Sequence, residues 1–375
     1  MEKHSLIKAA KYQRYRACGI LCIVLLVFLA CFHHVPYRPE NVPRIAWPAT
    51  AYNQLFNRDG DGWTGGDGTL SIPLKDGRTV WLFGDTFLGE VGSDGTRPKE
   101  TPMVRNSLVV QTDRRIDTRY RQTEKGPAAF FPSPSKDTWY WPGDGLVVGN
   151  KMRVFLHRFR QNAPRLWAWQ FTGTVLSTLS LPDLELERID ETASVKGVLF
   201  GVSILKTKEY VYIYGVRDNE FPKLAYLARA TIGDLGGPWE FYTGREWSAD
   251  PEDSAPILSG VSTQYSVFQT GGLFYLVTMD GRRPFPDTIA VYRSASPCGP
   301  WQGPRIIYKV PGVGRDVVAY NPFVHTQFTK GNRYLISYNL NHVNDPLAVF
   351  DDASIYRPRF IWVDFAQIDQ WFCPP

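Results

Sequence analysis

Cysteine is nearly absent from the part of this sequence that can fold. Of five cysteines, Cys18, Cys22 and Cys31 lie in or beside one apolar stretch near the N-terminus, which leaves Cys298 and Cys373. One pair is no disulfide framework, and no paired Cys-x-x-Cys spacing is present to hold zinc. An excess of one charge is missing too. The formal balance is +5, but residues 1–16 hold Lys3, Lys8, Lys11, Arg14 and Arg16 against Glu2, so the other 359 residues carry only +1. Such a body offers no basic surface to a nucleic acid. From Ile45 onward no long apolar stripe of 3.6-residue period appears, which argues against a helical bundle. No Gly-x-Ser-x-Gly elbow, P-loop or dinucleotide fingerprint stands in a fitting context, and the Ser-x-Asp-x-Gly-x-Thr-Trp repeats of sialidases are absent.

What is present is aromatic and turn-rich. The 375 residues are 43% hydrophobic and 14% aromatic, with Trp 12, Tyr 19 and Phe 22, enough for a large core. Gly 32 and Pro 28 imply many chain reversals. Together they favour an all-β protein. Rings also suit carbohydrate, whose C–H faces stack on them, although any single ring has core packing as its plain explanation.

The N-terminus carries its own message. Residues 1–16 are basic, and residues 17–32 are uncharged. Sixteen residues fall short of the about 20 that span a bilayer. The stretch 17–33 therefore reads as a signal-peptide core or a short anchor, with the basic flank left in the cytoplasm and the rest exported. Phe28-Leu29-Ala30-Cys31 resembles a bacterial lipoprotein cleavage box, with Cys31 as the lipidated residue; an ordinary signal peptide and an uncleaved anchor are the other readings. All three place the remainder outside the cytoplasm. Residues 34–45 hold Pro36, Pro39 and Pro43 and read as an extended tether.

Residues 46–375 are expected to form one five-bladed β-propeller. The densest stretch, Asp59 to Gly89, supplies a first hairpin: strands Thr69–Leu74 and Thr79–Phe83 flank Lys75-Asp76-Gly77-Arg78, an Asp-Gly turn. A strand–turn–strand unit then recurs. It appears at Asp144–Val148 with Met152–Phe159, at Phe200–Leu205 with Tyr210–Val216, at Gln264–Phe268 with Leu273–Met279, and at Asn321–His325 with Tyr334–Asn339. A spacing of roughly 55–80 residues fits one blade per unit. Units three and four also share an echo: Arg229 leads to Gly237-Pro238-Trp239, and Arg293 leads to Gly299-Pro300-Trp301. In a propeller the starts of the innermost strands converge on one end of the axis. Those positions are Asp67, Asp144, Gly201 to Ser203, Gln264-Tyr265 and Tyr320-Asn321.

Gly66-Asp67-Gly68-Thr69, Trp81-Leu82-Phe83-Gly84-Asp85-Thr86-Phe87-Leu88-Gly89, Val104-Arg105-Asn106-Ser107 and Tyr140-Trp141-Pro142-Gly143-Asp144-Gly145 together resemble a secreted bacterial β-propeller family of unknown function. That family is similar to the five-bladed furanosidase-type glycoside hydrolases, arabinanases and levansucrases among them. The resemblance runs over residues 45–375 by blade order and is most specific in the early motifs. It implies a sugar site on the axis, with a first-blade Asp as base or nucleophile, a second-blade Asp orienting it and a third-blade Glu as acid. Asp67 and Asp144 match the first two. No Glu opens the inner strand of blade three; Glu191 and Glu220 are only nearby.

Glycoside hydrolysis needs two carboxyl groups in unlike environments, one ionised and one protonated. The candidate catalytic residues are Asp67 as base or nucleophile, with Asp85 or Asp144 as acid or orienting group. Asp-Gly turns at strand starts are the structural alternative for Asp67 and Asp144. Arg105 and Asn106 are candidates for binding a substrate carboxylate or holding a catalytic Asp ionised. Trp141 and Trp63 are candidate stacking residues, and Asp61, Gln264, Tyr265 and Asn321 complete the substrate-binding set. Asn57, Asp59, Asp61 and Gly62 form the first half of a calcium loop, but Gly68 stands where an EF-hand has Glu. Calcium is thus a candidate and no cofactor is required. His325, on the expected inner strand of blade five, is the candidate metal ligand, with His157 behind it; a hydrogen-bonded core His is the alternative.

The expected activity is hydrolysis of a polysaccharide, with furanose-containing polymers as the candidate substrates. A non-catalytic glycan-binding propeller and a polysaccharide lyase are the alternatives. The expected partners are a glycan and, through residues 17–33, a membrane; the chain is expected to act as a monomer.

Overall fold

In the computed structural model of the protein, residues 44–163, 168–193 and 197–372 are described. The basic segment 1–16, the apolar segment 17–33, most of the tether, and Cys18, Cys22, Cys31 and Cys373 lie outside them. Among the described residues no helix is long and apolar enough to cross a membrane.

The first hairpin forms at Leu70–Pro73 and Thr79–Phe83 around Asp76-Gly77. Every residue of Thr79–Phe83 is buried, and alternation explains how. Val80 and Leu82 point to one face and pack toward blade two; Trp81 and Phe83 point to the other and pack toward blade five. Ser107–Thr112 and Arg115–Arg119 complete a four-stranded antiparallel blade. Blade two is Thr138–Val148, Lys151–Gln161, Trp169–Ser180 and Glu185–Glu191. Blade three begins Leu199–Lys206, Tyr210–Arg217, Leu224–Thr231 and Glu240–Tyr242, with short extra strands beyond. Blade four is Ser266–Thr270, Leu273–Met279, Thr288–Ser294 and Gln302–Lys309. In blades three and four the fourth strand follows directly on Trp239 and Trp301.

Blade five draws on both parts of the propeller chain. Its inner strands, Val317–Lys330 and Arg333–His342, and its third, Arg359–Asp364, come from the C-terminal part, but its outermost strand is Ala46–Pro48. Ala46 pairs with Val363 and Pro48 with Ile361. The two ends of the propeller chain thus share one sheet and close the ring. The innermost strands of blades one, two, three, four and five contact one another in cyclic order, which makes the architecture an all-β five-bladed propeller. Each seam between neighbouring blades is an apolar cluster. At the seam of blades five and one, Phe56 follows the short helix Thr50–Leu55 and packs within 5.0–5.8 Å of Trp63, Trp81, Phe83 and Phe360. Emptying that position to Ala would cost about 3–5 kcal/mol.

Candidate active site

A small sheet carries the carboxylates. Trp63–Gly66 pairs with Thr86–Leu88, which pairs with Met103–Val104. Gly66 faces Thr86 as the last pair of the ladder, so Asp67 and Asp85 stand next on the facing strands, and the Gly84 amide donates to the Asp67 carbonyl at 2.7 Å. A side chain at Gly84 would put its Cβ 2.8 Å from Asp67 Oδ1 and 3.3 Å from the Trp141 ring. Only glycine lets these groups converge there.

The small sheet is pinned by two buried guanidiniums. Arg97 donates to the carbonyls of Thr64, Val349 and Ala353, and Arg357 donates to that of Thr64 as well as to Asn57 and Asp59. Main-chain acceptors from the N- and C-terminal parts thereby fix the strand that ends at Asp67.

The two carboxyls sit in unlike surroundings. Asp67 Oδ2 accepts from the Tyr320 hydroxyl at 3.0 Å, and Tyr356 donates to the same carboxyl. No cation pairs with Asp67 among the described residues. Burial, reinforced by the charge of Asp85, raises it to about 7 against the donated hydrogen bonds. Asp85 accepts from Arg105 at 3.0 Å and from the Trp141 indole at 2.9 Å. Burial raises its pKa too, opposed by the Arg105 charge and both donors. Both carboxyls keep partial exposure, Asp85 at 17%. Tyr320 and Tyr356 are pushed well up by burial and by Asp67, and keep their protons. Arg105 also lies over the Trp139 ring, 4.3 Å from its centre.

Asp144 lies elsewhere. Three residues past Trp141, it is 6% exposed and accepts from the amides of Ile204 and Gly145, both at 2.8 Å. It lines a cavity of about 120 Å³ in the channel, with Ser71, Ser203, Lys206, Ser266 and Gln327. Burial raises it to about 7. The carboxylate charge that acts on Asp67 is that of Asp85, so the pair that geometry assembles is Asp67 with Asp85.

Several expected binding residues are turned into the fold instead. Trp63 is fully buried at the seam of blades five and one. Asn106 is fully buried and brackets blades one and two, taking the Phe131 amide at 2.7 Å and donating to the Tyr140 carbonyl at 2.9 Å. Tyr265 is fully buried, its hydroxyl spent on the Gly215 carbonyl. Gln264 is 8% exposed and donates to the Pro142 carbonyl at 3.4 Å. None of these four presents a surface to a sugar. Asn321 sits at positive φ in the bulge of blade five's inner strand, and it is its neighbour Tyr320 that reaches Asp67. Asp61 is exposed beside Arg58, in the loop that enters the strand Trp63–Gly66, whereas Asp67 follows that strand.

The metal readings fare likewise. His325 is fully buried against Trp81; its ring nitrogens meet the hydroxyls of Ser71 at 2.6 Å and Ser337 at 2.9 Å. Burial lowers it to about 3, so the ring is neutral, and both its nitrogens are taken by serine hydroxyls. His157 is buried on the Phe200 carbonyl and lowered to about 4. In the loop offered for calcium, Asp59 is paired with Arg357 and Asp61 with Arg58, cations where a metal would need anions. No group of three or more metal-ligating side chains occurs among the described residues.

Tyr356 and Asn341, which contacts Tyr320, are the site residues that sequence reasoning missed. Both lie on blade five, Tyr356 in the irregular segment before its third strand, where no hairpin pattern marks a position.

A family model described as a domain of unknown function, DUF5005, matches residues 49–371. No curated protein matches the chain. Among solved structures, a candidate hydrolase from Bacteroides ovatus superposes with a TM-score of 0.78 at 21% identity, over 91% of this chain and 96% of that one; the likeness is one of fold. An exo-β-1,3-galactanase variant from Phanerochaete chrysosporium with β-1,3-galactotriose (TM-score 0.47, 12% identity, 81% of this chain, 63% of that one) and an α-L-arabinofuranosidase from Podospora anserina in complex with cellotriose (0.47, 9%, 81%, 92%) are more distant.

Proposed function

The chain belongs to the DUF5005 family, and we propose that it is a glycoside hydrolase of polysaccharides whose acid is Asp67 and whose ionised carboxylate is Asp85. One observation carries this reading: two neighbouring, partly exposed carboxyls on facing strands, of which one has a guanidinium and the other has not. The charge of Asp85 raises Asp67, which suits one shared negative charge between them. Near neutral pH Asp67 would give its proton to the departing sugar oxygen. Asp85, kept ionised by Arg105 and Trp141, would attack the anomeric carbon or take the proton of the water that does. This reverses the roles that the furanosidase resemblance implies for the first-blade Asp. Elimination is less well supported. Tyr320 and Tyr356 hold their protons and cannot serve as bases, and both described central histidines are shut in the core.

The test is product release by the full chain from arabinan, xylan and galactan, beside Asp67→Asn and Asp85→Asn. Each variant should lose a factor of about 10²–10⁴. Release unchanged in Asp67→Asn would sink its assignment. Binding without release by the native protein would favour the non-catalytic glycan-binding reading. Action outside the cytoplasm is part of the proposal and rests on residues 1–33; recovery of the protein in the cytosolic fraction would contradict it.

A further inference from the structure

Blade two stands taller than its neighbours at the end of the ring where Asp67 and Asp85 lie. Its first three strands have 11, 11 and 12 residues, while the inner strands of blades one, three and four have 4, 8 and 5. Heights can be matched through contacts. Trp141 reaches Asp85 with its indole N–H, and His157, paired with Trp141, meets the Phe200 carbonyl at the start of blade three. Beyond that level follow Trp139 and Phe159, then Phe171, Gln161 and Trp169 in ladder order; Trp139 and Phe159 belong to the apolar cluster of blades three and four, and Trp141, Trp169 and Phe171 pack at its edge.

Alternation puts one kind of residue on the face turned to that cluster. Trp139, Trp141, Phe159, Trp169 and Phe171 share it, while Arg160, Gln170 and Thr172 take the other. The rings contact one another: Trp141 and Phe159 are tilted at 4.6 Å, while Trp141 meets Trp169 edge to face at 5.6 Å and 88°, and Phe159 meets Phe171 edge to face at 5.8 Å. Trp139 and Phe159 are buried beneath; Trp141, Trp169 and Phe171 keep partial exposure. An aromatic surface of this kind is rigid, with two torsions per side chain, and loses little freedom on binding. Its first member is the ring that hydrogen-bonds the carboxylate proposed to act on the glycosidic bond.

We propose that Trp141, Trp169 and Phe171 form a sugar subsite continuous with the Asp67–Asp85 centre, on which a further residue of the polysaccharide stacks its C–H face. The proposal rests on the glycan reading of the site. It defines the substrate as a polymer or oligomer that extends from the reacting bond along blade two. Binding to the platform does not need the acid, so the two assignments fail separately.

The experiment is affinity electrophoresis of the full chain through native gels cast with arabinan, xylan or galactan. Retardation of the native protein by at least one of them is expected. Trp169→Ala should bind that glycan about tenfold more weakly, Trp169→Tyr should recover most of the affinity, and Gln170→Ala, on the opposite face, should match the native protein. Affinity of Trp169→Ala within twofold of native would overturn the subsite. So would loss in Trp169→Ala that Trp169→Tyr does not recover, which marks a packing role, or no retardation of the native protein by any of the three. Retardation without product release would remove the hydrolase reading and leave the subsite standing.

Discussion

Asp144 gives a sharp test of how this propeller treats a buried carboxyl. Its pKa rises from an ordinary 3.8 to about 7 because burial disfavours the charged form, and the Ile204 and Gly145 amides offset only part of that. The folded state therefore binds a proton that the unfolded chain releases. The stability this carries is complete below the unfolded pKa, and is lost progressively as pH rises from about 4 through 7. Three pKa units amount to roughly 4 kcal/mol in full, of which about 2.5 kcal/mol falls between pH 5 and pH 8. For a body of this size that is about 4 °C in Tm. Asp144→Asn keeps the shape and one acceptor oxygen and cannot ionise. Its lost second acceptor is a constant offset, so the slope is the readout. Thermal melts of both proteins at pH 5, 6, 7 and 8 should show the native Tm falling relative to the variant by that amount. Asp67 titrates in both proteins and cancels in the difference, because the two sites share no partner. Parallel Tm curves would refute the reasoning and mean that Asp144 is ionised in the fold throughout.

Three further outcomes follow from named contacts. Tyr320→Phe removes a donor that favours ionised Asp67, so the alkaline limb of the pH–rate profile should move up by about 0.5–1 unit; an unmoved limb would dissociate Asp67 from that limb. Gly84→Ala drives a methyl into the place of Asp67 Oδ1, and kcat on the best polysaccharide should fall at least about tenfold, since small displacements of reacting groups are costly; unaltered kcat would show that the approach is not needed. Deleting residues 1–48 removes the outermost strand of blade five and its pairing with Ile361 to Val363. Compared with deletion of residues 1–43, it should cost about 3 kcal/mol in urea unfolding; equal midpoints would mean that the ring does not depend on that strand.

The fold was legible because a propeller writes itself as local repeats. Asp76-Gly77, Gly149-Asn150 and Gly271-Gly272 mark turns between apolar strands, and each hairpin is settled within about twenty residues. Ala46–Pro48 carries no such mark. A three-residue strand with Pro at its end has little β signal of its own, and its partner Arg359–Asp364 lies more than 300 residues away. Nothing in a local window distinguishes that strand from the proline-bearing tether before it.

The site was legible only where it is local. Asp67 and Asp85 could be placed at one rim because two antiparallel strands bring their ends together, and Trp141 and Arg105 lay close by in sequence-specific motifs. Which polar side chain faces the axis, however, depends on bulges. Register shifts between Pro142 and Gly145, between Phe200 and Ser203, and between Tyr320 and Phe323 occur in the inner strands of blades two, three and five. The shifts in blades two and five insert one residue and exchange the inward and outward faces beyond it, whereas that in blade three inserts two and keeps the alternation. That is how Asp144 came to be spent on the Ile204 amide while Tyr320, one residue from the expected Asn321, reaches Asp67. The same accounting explains the donors on Asp67. Tyr320 and Tyr356 come from blade five, whose sheet is closed by the strand that precedes the carboxylates. The acidity of Asp67 is therefore tied to ring closure: the contact that completes the fold also positions the hydroxyls that set the proton on its catalytic candidate.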